Sequence, residues 1–93
     1  MRSFQHIGQL IRNKRQTHPK AYSQSELSQL LGYKNGQFIS NVERGLCNIP
    51  LKMLPKVSQI LEIPGEELKS SMLKDQEATI MHYLAASTEE VIS

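Results

Sequence analysis

Ninety-three residues, 39% of them hydrophobic, leave room for one small domain with little surplus core, which argues against an elaborate enzymatic cleft. A single cysteine, Cys47, rules out a disulfide framework or an all-thiolate zinc site, and no stretch approaches the ~20 apolar residues needed to span a bilayer, so a cytoplasmic protein is expected. The net charge of +2 is too small to point to a partner, but nine of the eleven Lys and Arg, with only two acids, lie in residues 1–56, and seven of the nine acids follow.

Phe4, Ile7, Leu10 and Ile11 recur at helical spacing, which predicts an amphipathic helix over 4–16 that "THPKAY" then breaks at Pro19. "YSQSELSQLLG" opens a second helix, 24–31: Ser23 and Glu26 have capping-box spacing, Tyr22 and Leu27 that of a hydrophobic staple, and Gly32 supplies a stop. In "GYKNGQFISNVERG" the pair Asn35-Gly36 is a hairpin signal as well as a helix opener. Strand alternation fails here, because Phe38 and Ile39 are adjacent. Ile39, Val42, Glu43 and Leu46 instead follow i, i+3, i+4, i+7, which predicts a third helix over 36–44 with Asn35 as its cap and Gly45 as its end.

"LKMLPKVSQILEI" predicts a fourth helix starting close to Pro55. "PGEELKSSML" opens a fifth, with Glu66 and Glu67 suited to its dipole, and "DQEATIMHYLAAS" predicts a separate sixth carrying Ile80, Met81 and Leu84 on one side. "TEEVIS" has no strong pattern and is expected to fray. The C-terminal apolar side chains suit either packing on their own domain or an isologous dimer.

Two short helices joined by a tight Gly-containing turn have the layout of a helix-turn-helix unit, whose second helix enters the major groove. On the helix 36–44, Gln37, Asn41 and Arg44 fall opposite the Ile39/Val42 face. Gln and Asn can each pair with the adenine edge, and Arg can reach guanine or phosphate. Gly36 would let the backbone approach a duplex closely. The same residues would also serve simply to solvate an exposed face. Glu43 on one apolar stripe and Arg15 on another call for a partner, and a buried Arg15–Glu43 pair would tie the first helix to the third.

These segments, "IGQLIRNKR", "SQSEL", "ISNVERG" and the run into "IPGEEL", resemble the phage-repressor (Cro/C1-type, Xre-like) helix-turn-helix family over roughly residues 5–73. The resemblance implies an all-α, five-helix lambda-repressor-like DNA-binding domain over 1–73; beyond it, 74–93 read as an extra C-terminal helix and tail, a candidate dimerisation element that could equally pack on its own domain. It implies a bacterial or phage-encoded transcription regulator, a repressor binding double-stranded operator DNA of pseudo-palindromic sequence as a homodimer. Gln37, Asn41 and Gly36 would face bases. Gln24, Ser25, Lys34, Asn35, Phe38, Ser40 and Arg44 would face the backbone, and Arg15 and Glu43 match the family's buried ion pair. The turn "GYKNG" is one residue longer than the commonest version, "THPKA" lengthens the first loop, and "LCNIP" lacks the bases some relatives carry. Lys20 and Lys52 are further phosphate candidates.

His6, His18 and His82 show no metal-ligand spacing with each other or with Cys47, and no catalytic arrangement assembles, so neither a cofactor nor a metal nor an enzymatic activity is expected. The alternative reading is a protein-interaction module, an antitoxin or adaptor whose acidic C-terminal part binds a partner protein.

Overall fold

In the computed structural model the chain forms α1 (Gln5–Thr17), α2 (Gln24–Leu30), α3 (Gln37–Glu43), α4 (Leu54–Leu61) and α5 (Gly65–Ile92), with one 3-10 turn, Leu51–Met53, leading into α4. The structure describes residues 3–92, and the side chains of α5 as far as Ala86; Met1, Arg2 and Ser93 lie outside the described residues. No strand occurs among the described residues, and the helical reading of residues 36–44 stands over the hairpin.

Local chemistry sets the boundaries. Ser23 Oγ accepts the Glu26 amide at 3.0 Å and Glu26 Oε1 accepts the Ser23 amide at 2.9 Å, the reciprocal pair of a capping box. The Ser23 backbone N–H and then its side chain hold the Glu26 carboxyl below the usual carboxylate range. Gly32 and Gly45 adopt φ of 94° and 77°, a left-handed backbone that closes α2 and α3 with little strain only for glycine. Pro55 sits in the first turn of α4, where a missing N–H leaves no helical bond unmade.

The C-terminal segment departs from expectation. In place of a fifth helix, a break and a sixth, α5 runs 28 residues without interruption. After Gly65 the chain has no glycine or proline to stop a helix, and Asp75, read as a helix start, serves the N-terminus of α1 instead. The backbone of "TEEVI", expected to fray, is helical to Ile92. At 1.5 Å per residue α5 is about 42 Å long, which accounts for a molecule measuring 53 × 26 × 22 Å. From Gln76 to Ala86 every side chain except Thr79 is exposed.

The core is one cluster. Ile7 and Ile11 of α1, Leu27 and Leu31 from α2 and its end, Ile39 and Val42 of α3, Ile49, Val57, Leu61, Ile63 and Leu68 are all buried. At about 25 cal/mol per Å², such burial is the main force holding these short helices, which would not persist alone. α1 packs on α3 and α5, α2 on α3, and α4 on α5. The crossing of α1 over α3 depends on Gly8, where an added Cβ would collide with the Val42 carbonyl oxygen and come within 3.1 Å of that of Glu43.

Candidate nucleic-acid interface

The helix α3 is held from three sides. From α1, Arg15 reaches Glu43 with two parallel bonds, Nε to Oε2 at 2.6 Å and Nη2 to Oε1 at 3.0 Å. Its third donor, Nη1, goes to the Tyr22 carbonyl at 3.1 Å. The Glu43 side chain is 2% exposed and that of Arg15 13%. The hydrogen bond to Glu43 is the largest influence raising the Arg15 pKa, and outweighs the opposing effect of burial. The pair expected from the two apolar stripes therefore forms, with the bidentate geometry that makes a buried pair tolerable.

From α2 come two further contacts. Ser28, fully buried, accepts the Ile39 amide on its Oγ at 3.2 Å, which satisfies one of the first-turn N–H groups of α3. Gln24 Nε2 donates to Glu43 Oε1 at 3.0 Å. Gln24, read as a phosphate contact, thus also belongs to the Arg15–Glu43 cluster, with one of the two N–H groups of its carboxamide spent there.

From the turn, Asn35 Oδ1 accepts the Gln37 amide at 2.9 Å, but Asn35 is not the N-cap expected of it: the helix begins at Gln37, one residue later than the sequence suggests, so the cap position falls to Gly36, which has no side chain to cap with. The Tyr33 ring stacks on Phe38 with centroids 4.0 Å apart, and its hydroxyl reaches the Met53 sulfur at 3.4 Å. Phe38, assigned to the DNA backbone from sequence, has its half-buried ring committed to this stack. Gly36 also has a different reason for being glycine. A Cβ there would stand 3.0 Å from both the amide nitrogen and the Oγ of Ser25, so its missing side chain lets the start of α3 pack against the start of α2.

What remains outward is a short polar row. Gln37 is exposed, Asn41 half-buried and Arg44 exposed, opposite the buried Ile39 and Val42. Gln37 Nε2 donates to Asn41 Oδ1 at 2.9 Å along the helix. Ser25, Lys34 and Asn35 are exposed beside this row and Ser40 is half-buried; Lys20 and Lys52 are exposed as well. Cys47 is half-buried and its thiol pKa is pushed up by burial, the opposite of what a reactive thiolate needs.

Sequence reasoning missed two positioning groups, Ser28 and Asp75. For Asp75 the need, though not the residue that meets it, is visible as a deficit. No acid or local cap serves the first turn of α1, so its N–H groups require an acceptor from elsewhere, and Asp75 Oδ1 and Oδ2 accept those of His6 and Ile7.

The chain matches no family model, no curated protein and no solved structure. No helix among the described residues is long and apolar enough to cross a membrane.

Proposed function

We propose that this chain is a sequence-specific DNA-binding regulator, a repressor of the helix-turn-helix kind, reading the major groove with α3 as a homodimer in the cytoplasm. The observation that carries the reading is the division of α3 into two faces. Ile39 and Val42 are fully committed to the core, while Gln37, Asn41 and Arg44 lie on the opposite side. A helix of seven residues has no stability of its own, yet Arg15, Ser28 and Asn35 fix this one at both ends. Rigid support beneath a row of Gln, Asn and Arg suits a surface that must meet base edges with fixed geometry.

The test is selection of bound duplexes from a random pool, followed by gel retardation at several salt concentrations. An enriched palindrome whose half-sites place two α3 helices about 34 Å apart supports a dimeric reader. If no sequence is enriched, and Gln37→Ala with Asn41→Ala leaves retention unchanged, the reading fails.

A second reading has its own observation. Leu73, Ile80, Met81 and Tyr83 of α5 are 47–65% exposed, more apolar surface than a lone helix ordinarily leaves to water. In the repressor reading this face meets a second copy of the chain; in the interaction-module reading it meets a partner protein. Sedimentation of the chain alone separates the two, since only the first requires a dimer.

A further inference from the structure

The bond between Gln37 and Asn41 limits what each can read. Both carboxamides are free, in principle, to pair two-pronged with adenine, the oxygen accepting from N6 and the nitrogen donating to N7. Joined to one another, they are no longer equivalent. Asn41 Oδ1 accepts the Gln37 Nε2 donor at 2.9 Å with one of its two lone pairs, so Asn41 is the acceptor of the bridge and Gln37 the donor. Gln37 keeps the whole of Oε1 and one N–H. Its amide nitrogen carries two hydrogens, and the one remote from Oε1 can bridge to Asn41 while the other stays beside Oε1 to complete a two-pronged edge.

We infer that Asn41 is a positioning residue for Gln37: it holds the Gln37 carboxamide with its acceptor–donor edge turned to an adenine. This rests on the DNA-reading function proposed above and names one base that function selects. Gln37 is served by adenine. The spacing supports the pairing of roles, because residues four apart lie on one helix face, one above the other. Gln37 is exposed and at the open end of α3, so without the bridge its side chain would have several rotamers to give up on binding.

The experiment uses the full chain. Sites are selected from a random duplex pool with the native protein, Gln37→Ala and Asn41→Ala, and affinities are then measured for the best site and for versions changed one base pair at a time. Circular dichroism first shows that the substitutions leave the helical fold intact, as an exposed and a half-buried polar position on the outer face allow. The base pair whose preference disappears in Gln37→Ala is the one read by Gln37. The expected result is adenine at that pair, a loss of discrimination there of about tenfold in Asn41→Ala, and no further loss at that pair when Asn41→Ala is added to Gln37→Ala. A merely structural Asn41 would lower affinity for all sites equally. Discrimination at the Gln37 pair that survives Asn41→Ala, or a base other than adenine there, overturns the inference while DNA reading stands. Failure to enrich any sequence with the native protein overturns the DNA-reading function itself.

Discussion

Asp75 and Ile7 lie 68 positions apart, and the carboxylate of one accepts the backbone amide of the other at 2.9 Å. The second oxygen of Asp75 accepts the His6 amide at 2.7 Å and contacts the His6 Nδ1 at 2.9 Å. A side chain in the middle of α5 is therefore the N-terminal cap of α1, placed where the α1 dipole favours a negative charge. The carboxylate is only 5% exposed, so its desolvation is tolerable because these donors meet it. Asp75→Ala, which strands two amides, is expected to lower stability by about 2–3 kcal/mol in urea unfolding. Asp75→Asn keeps one accepting oxygen and should lose less. A loss in Asp75→Ala within error of zero would show that water replaces the carboxylate without penalty.

Glu43 is the hub for Arg15 and Gln24 together. Glu43→Ala leaves a guanidinium that is 13% exposed without its partner, and an unfolding loss of about 3 kcal/mol is expected. Removing Arg15 as well should cost less than the sum of the two single changes, because the second substitution removes the stranded charge. Additive losses in that cycle would mean the pair is not coupled.

Two glycines make opposite predictions. Gly8→Ala forces a Cβ into the backbone of α3, which has no flexible end to move aside, so α1 and α3 must separate. A loss of about 1–3 kcal/mol is expected, as for overpacked cores. Gly65, at the start of α5, has nothing within 4 Å of the corresponding position and no positive φ. There alanine should raise stability by about 0.4–1 kcal/mol by restricting the unfolded chain. Thermal unfolding of both variants side by side is the check, and a shift of the same sign in both would contradict this account.

How far the sequence could be read depends on the range of the interaction involved. Ser23 with Glu26, and the glycines at 32 and 45, act within a turn of chain, and their spacing alone locates the ends of α2 and α3. The Arg15–Glu43 pair spans 28 positions but was legible because a charge on an apolar stripe announces its own need. Asp75 gives no such sign: at its position a carboxylate on a polar helix looks solvated, and only the geometry of α1 against α5 shows what it caps. The expected break before Asp75 failed for the same reason, since an acid that suits a helix start was serving the start of another helix. Gly36 shows the limit at the candidate site. An empty position in a recognition helix suggests access for a ligand, but here the space is filled by Ser25 of α2.

The charges bordering α3 make the last prediction. Lys34 lies in the turn before the helix and Arg44 follows its end, both exposed, with neither in an ion pair among the described residues. Arg15, by contrast, is closed within its bonds to Glu43 and Tyr22, and cannot reach a phosphate without breaking them. If the proposed duplex lies along α3, each exposed base that neutralises a phosphate releases a counterion. Lys34→Ala and Arg44→Ala should then each lower the slope of log affinity against log salt by about 1, with base preferences unchanged. Lys69, on α5 and outside this face, serves as the comparison, and Lys69→Ala should leave the slope as it is. Gel retardation across a salt series decides it. Equal effects from all three substitutions would mean that the charge of the whole chain, rather than the border of α3, governs binding.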